Sequence, residues 1–353
     1  MSGARTVGVL ALGAIIAALA YAPAALASAG QDAVVKEVVT KTVDDADVGE
    51  AAIDCGPNAR AIGGGVVADA PSFPPNFIIA DGPLGPGGTT AGTNDFDAPR
   101  YWYTALLNVS GATQTYRFYA VCSASSDATI QAQGFLLPAV GGIEGSSVGC
   151  PAGQRAISGG FSTTATPSRR SDGVLMSQPL DASGSPAETL TGNTAISWAV
   201  EVRNEGLDAK DYKVFALCSP TSTATVQETS YTSDTYKPGH AATCPEGSRA
   251  TGGGSAPVNG LVGNLFEIGP SDAAGSPTLS AGDVPRGWYG RVDSTAWGLQ
   301  TYRTYAMCEA ERAPLPPSTP ATGQRAAALA KCKKKHSRKA KKKCKKKAAL
   351  LPV

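Results

Sequence analysis

The chain has 353 residues, 42% of them hydrophobic and only 17% charged, with 41 glycines and 25 prolines. That balance excludes long helices with charged outer faces and favours a turn-rich β protein, while two histidines, His240 and His336, leave little for a histidine-based hydrolase or metalloenzyme. The formal charge of +2 conceals a division: residues 30–320 hold 17 Lys/Arg against 29 Asp/Glu, a net of −12, whereas residues 321–353 hold 13 Lys/Arg and no carboxylate.

Residues 1–29 read as a secretory signal peptide. Arg5 supplies the positive start, Val7 to Ala20 is an apolar run, and both Ala25-Leu26-Ala27 and Ala27-Ser28-Ala29 fit a small-residue cleavage site. The run is short of the ~20 residues of a membrane span. The expected compartment is therefore outside the cell, secreted or associated with the wall, where disulfides form and persist.

Six of the eight cysteines then form three pairs, Cys55 with Cys122, Cys150 with Cys218 and Cys244 with Cys308. Each opens a common phrase: CGPNARAIGGG, CPAGQRAISGG and CPEGSRATGGG. Arg60, Arg155 and Arg249 stand five residues after their cysteine, and Gly64-Gly65, Gly159-Gly160 and Gly253-Gly254 stand nine and ten after it. Trp102, Trp198 and Trp288 precede the closing cysteine by 20 residues in 102 and 198, and in 288 likewise; Tyr116, Tyr212 and Tyr302 precede it by six. The chain thus contains three copies of one unit, at 33–125, 128–221 and 224–311, with a period longer than that of most solenoids.

Within each copy, short stretches rich in β-branched and aromatic residues alternate with Gly, Pro, Asn, Asp and Ser. The expected fold is all-β, with three tandem, disulfide-stapled, antiparallel, sandwich-like modules; a single pseudo-threefold β-prism is the alternative. The expected disulfides lie within copies, the tryptophans and tyrosines fill each core, and the glycine pairs serve a bulge or a close backbone passage. The three arginines either pair with a carboxylate, cap a loop, or line a shared ligand site.

The pattern of cysteine, Gly/Arg-Ala phrase, glycine run, Trp and Tyr-x-x-Tyr/Phe-Ala-x-Cys resembles that of secreted actinobacterial proteins of unknown function. The resemblance spans 33–311 and implies an exported domain, with no reaction attached. Copy one departs from it at Gly56-Pro57-Asn58, and copy two at Ser158. A fainter likeness is to the triplicated β-prism of egg vitelline membrane outer layer proteins, whose units are shorter.

After Cys308 the β pattern stops. Residues 313–324 read as a proline-rich linker, and 325–353 as a basic tail. Residues 331–347 hold 12 basic residues in 17, including Lys333, Lys334, Lys335, Lys341, Lys342, Lys343, Lys345, Lys346 and Lys347. Mutual repulsion predicts disorder, and the charge predicts binding to an anionic envelope polymer or lipid, with nucleic acid reached through the tail only. Cys332 and Cys344 would be ~18 Å apart along one continuous helix, so a bridge between them needs a bent chain. The other outcomes are pairing between molecules, giving a disulfide-linked homo-oligomer, and metal binding with His336, for which one His and two Cys make an incomplete zinc set.

No catalytic, cofactor or metal set is expected. Asp95 and Asp97, and the Asp44-Asp45-Asp47 turn, are the nearest approach to a carboxylate-dependent site. The sequence therefore predicts a non-enzymatic, secreted or cell-surface binding protein whose β modules present loops to glycan, wall or protein. A matrix component cross-linked through the tail cysteines is the alternative, and a carboxylate-dependent hydrolase the third reading.

Overall fold

The computed structural model describes residues 28–349, apart from 71–75, 140, 164–171, 186–188, 205, 234–238, 259–262, 295–299, 312–323 and 335–336. The leader through Ala27 and the proline-rich linker through residue 323 are outside the described residues, and Gln324, expected to end the linker, instead begins a helix. Copy one supplies β1 (Val34–Val43), β2 (Val48–Asp54), β3 (Arg60–Ala68), β4 (Phe77–Leu84), β5 (Tyr101–Leu107) and β6 (Gln114–Ser123). Copy two supplies β7 (Thr129–Leu137), β8 (Ile143–Gly149), β9 (Arg155–Thr163), β10 (Asp172–Leu180), β11 (Ser197–Asn204) and β12 (Lys210–Ser219). Copy three supplies β13 (Thr225–Ser233), β14 (His240–Thr243), β15 (Ser248–Pro257), β16 (Gly263–Ser271), β17 (Gly287–Ser294) and β18 (Gln300–Ala310). Two helices follow, α1 (Gln324–Lys333) and α2 (Arg338–Ala348).

The strands form three six-stranded antiparallel sheets, ordered β1-β6-β3-β16-β17-β14, β2-β5-β4-β9-β12-β7 and β13-β18-β15-β10-β11-β8. Every copy divides its strands three and three between two sheets, and every sheet joins halves of two copies. The third copy shares a sheet with the first, so the arrangement closes on itself. Each copy keeps the expected sandwich character, because its two halves pack against each other, as β3 does on β4 and β5. The copies are nevertheless interlocked, as in the closed pseudo-threefold alternative, rather than strung in tandem.

The sheets cross from copy to copy at single residue pairs: Asp81 with Phe161, Ser177 with Ser255 and Ile268 with Val66. The repeated glycines explain how. A Cβ on Gly64, Gly159 or Gly253 would overlap the indole of Trp102, Trp198 or Trp288 of the same copy. A Cβ on Gly65, Gly160 or Gly254 would overlap the carbonyl of Ile268, Asp81 or Ser177 in a neighbouring copy. One glycine admits the copy's own tryptophan, and the next admits another copy's backbone. Between β3, β9 and β15, which all touch, the residue before each pair is Gly63, Ser158 or Gly252. A Cβ on Gly252 would strike the Ser158 side chain, so the meeting point is filled by one serine.

The expected disulfides are present: Cys55–Cys122, Cys150–Cys218 and Cys244–Cys308, with Cα–Cα distances of 5.7, 5.5 and 5.5 Å. Each closes a loop worth roughly 4 kcal/mol in the chain-entropy model. Trp102, Trp198 and Trp288 are 1%, 0% and 0% exposed, and Tyr116, Tyr212 and Tyr302 are as fully buried. One expectation fails. The basic tail is not disordered: α1 and α2 pack together, joined by Cys332–Cys344.

Candidate functional site

The tail is built from unpromising material. Its helices have 10 and 11 residues, a length at which isolated helices are marginal in water. Lysines four apart on α2, such as Lys339 with Lys343 and Lys343 with Lys347, cost about 0.2–0.5 kcal/mol per pair. Against this, Ser337 caps α2 by accepting a hydrogen bond from the Ala340 amide at 3.1 Å. Lys345, Lys346 and Lys347 occupy the last turn, where the helix dipole favours cations.

The disulfide supplies the rest. Its Cα atoms are 5.5 Å apart, and closing so short a loop is worth about 3 kcal/mol. The chain reverses between α1 and α2, so the two cysteines meet across a hairpin rather than along one helix. Cys332 and Ala348 are buried, and Cys344, Ala328 and Leu329 are half-buried, so the helices meet along a narrow apolar seam. Lys331, Lys333, Lys334, Arg338, Lys339, Lys341, Lys342, Lys343, Lys345, Lys346 and Lys347 are all exposed; Lys335 is outside the described residues. The result is a compact polycation with no carboxylate of its own. No described cysteine is free, so these two offer no thiol for cross-linking between molecules.

The sequence-predicted site residues of the body have internal partners. Arg60 donates to the Ala128 carbonyl, Arg155 to the Thr223 and Ala224 carbonyls at 3.0 and 3.1 Å, and Arg249 to the Ala33 carbonyl at 3.0 Å. Each guanidinium thus caps the entry of the following copy's first strand, and Arg249 reaches back to the first copy. Arg249 also pairs with Glu311 at 2.8 Å. Of the readings open for these arginines, loop capping is realised in all three copies and ion pairing in the third.

The carboxylates nearest to a catalytic pattern hold loops in place. Asp95 accepts from the Ala132 amide at 2.7 Å and Asp97 from the Asn94 amide at 2.8 Å. Asp44 and Asp45 accept from Thr113 and the Gly111 amide. His240 stacks on Tyr231 with ring centroids 4.2 Å apart, and burial lowers its pKa. Asn108, which heads a formal glycosylation sequon, donates to the Val43 and Ala112 carbonyls at 2.9 and 2.8 Å. A cleft of about 460 Å³ beside Gly56–Arg60 presents Arg100, already in a two-bond pair with Asp54 at 2.9 and 2.8 Å. That guanidinium holds the Asp54 carboxyl below its usual range.

Two residues of chemical interest escaped the sequence reading. Asp81 is buried at a sheet crossing and accepts from Trp102 Nε1 at 2.7 Å and Thr104 Oγ1 at 2.9 Å. Burial pushes its pKa up to about 7, against the pull of both donors. Copy two puts Ser177 there, accepting from Trp198 Nε1 at 2.9 Å; copy three puts Ile268 there, and Trp288 Nε1 has no hydrogen-bond partner among the described residues. Phe96 is 68% exposed with φ of 65°. Six residues before Trp198 and Trp288, the same turn carries Gly192 and Gly282, with φ of 90° and 94°.

No described protein family matches the chain, and no curated protein matches it either.

Proposed function

We propose that the protein is an exported, non-enzymatic surface-binding protein in which the interlocked β body is the scaffold and the disulfide-locked hairpin makes the anionic contact. One observation carries the reading: eleven described Lys and Arg side chains between 331 and 347 are exposed on a unit that lacks carboxylates. Four disulfides suit a compartment outside the cytoplasm. The favoured partners are anionic wall polymers and lipid head groups, because the charge is dense and residues 324–349 include no Phe, Tyr or Trp on which a base could stack.

The body, with its net charge of −12 over residues 30–320, is repelled by the same surfaces. Deleting 321–353 therefore abolishes sedimentation with isolated wall polymer or anionic vesicles at low salt. Raising salt from ~50 to ~200 mM weakens the intact chain by about 10³-fold if six charges are neutralised. Equal binding by the truncated chain, or binding indifferent to salt, refutes the proposal.

Phe96 favours a second contact on the body. A bulky residue held in left-handed backbone, where the equivalent turns use glycine, is strained and exposed at once. An exposed ring suits stacking on a sugar face. Loss of a glycan-array signal in Phe96→Gly, with the fold intact, is the expected result; an unchanged signal removes this contact.

A further inference from the structure

Residues 28–33 read Ser-Ala-Gly-Gln-Asp-Ala, and the stretches joining the copies read Ser-Ala-Ser-Ser-Asp-Ala at 123–128 and Ser-Pro-Thr-Ser-Thr-Ala at 219–224. The segment ahead of β1 is therefore a third connector of the same kind. It also sits like one. Ala33, Ala128 and Ala224 are all fully buried, and each lies where an arginine of another copy caps the strand entry. Asp32 accepts from Ser123 and Asp127 accepts from Ser219. In the third copy the chemistry is exchanged, with Thr223 donating to Glu309.

The first residues of this connector belong to the core. Ser28 and Ala29 are 4% and 0% exposed, and the Ser28 hydroxyl donates to Glu309, itself fully buried. Gly30 is buried with φ of 89°, and a Cβ there would overlap the Thr251 side chain. Of the two cleavage positions the sequence permits, a cut after Ala29 removes Ser28 and Ala29 from this packing. A cut after Ala27 leaves the connector whole.

We infer that the leader is removed between Ala27 and Ser28, and that the α-ammonium so created docks beside the Glu309 carboxylate and seals the junction of the third copy with the first. The inference rests on the exported reading above. A signal peptidase adds water across the Ala27–Ser28 peptide bond, leaving a carboxylate on Ala27 and an ammonium on Ser28. It acts before folding, because Ser28 is buried afterwards. Covalent geometry keeps a serine's nitrogen within about 4 Å of its own Oγ, so the new charge lies close to Glu309, where a buried pair attracts strongly.

Intact mass and N-terminal sequencing of the full chain recovered from an exporting host test the cut. The expected first residue is Ser28. A chain beginning at Gly30 overturns this inference and leaves export standing; a chain that keeps its first residue overturns both. Docking is tested on the mature chain with its α-amine free or acetylated. The free form is expected to melt at least ~2 °C higher, with its amine titrating above the ordinary ~8, and Glu309→Gln is expected to erase both differences. Equal melting and ordinary titration overturn the docking.

Discussion

The β body and the basic hairpin hold short elements together by opposite means. In the body, strands of 4–11 residues are held by burial, by arginine caps between copies and by sheets that run from one copy into the next. In the hairpin, two helices of 10 and 11 residues meet along a narrow seam, and one disulfide must outweigh the repulsion of a dozen like charges. Stability in the body is therefore distributed over many contacts, whereas in the hairpin it rests on a single bond.

The comparison is broken most severely at the sheet crossings. Gly160→Val places a branched side chain against the Asp81 carbonyl, and Trp198→Ala empties a site that is 0% exposed. The tryptophan change is expected to cost about 3–5 kcal/mol and the glycine change to prevent closure altogether. Thermal melts and yields of folded protein check both. If either variant melts like the parent, the crossings do not carry the fold.

Next in size is the effect of changing Cys332 and Cys344 together to Ser. The hairpin is expected to lose its helicity, a loss of about 3 kcal/mol in the chain-entropy account, while the body melts unchanged. Amide exchange over 324–349 reads the first effect and calorimetry the second. Protection retained in the double variant would mean that the apolar seam alone suffices.

Asp81 sharpens the comparison within the body. Burial raises its folded pKa to about 7, well above the ordinary carboxylate range, so its contribution is fully present below the unfolded pKa and is lost as pH rises through the folded one. Stability is therefore expected to decline between about pH 4 and 7 on this account. Asp81→Asn keeps an acceptor for Trp102 and Thr104, and it should flatten that slope and raise stability at pH 7 by on the order of 1–3 kcal/mol. Melting curves across that range settle it. An identical slope in the variant would assign the pH dependence to other groups.

The smallest effect is expected at the Phe96 turn. Phe96→Gly relieves the left-handed strain and should stabilise the body by a few tenths to about 1 kcal/mol, measured by denaturant titration. Destabilisation would show that the exposed ring packs in solution.

Much of the body was legible because equal offsets fix equal faces. The spacing of each tryptophan from its closing cysteine placed all three indoles in the core, and the paired cysteine spacings gave the disulfides. The sharing of sheets was not legible, because nothing in RAIGGG or RATGGG says whose backbone approaches the glycine. The arginine caps join carbonyls that any residue could supply, so sequence left their partners open. The helices of the hairpin were not anticipated, because repulsion among the lysines argues against them; the spacing of Cys332 and Cys344 showed only that a bridge needs a bent chain, and it is that bend, between α1 and α2, that lets the cysteines meet. Phe96 was detectable in principle, by noting that it replaces the glycine found at 192 and 282.

The sharing of a sheet between the first and third copies also sets an order of folding. β3 must wait for β16, and Val66 and Ile268 are about 200 residues apart, so an interval passes in which the first copy has emerged and the third has not. Throughout that interval the crossing edge of β3 is an unpaired sheet edge, open to the wrong strand. The same edge on a second chain would accept β16 equally well, so crowded nascent chains can join head to tail by exchange instead of closing singly. Closure within one chain is a unimolecular step and exchange between chains is not, so dilution favours closure.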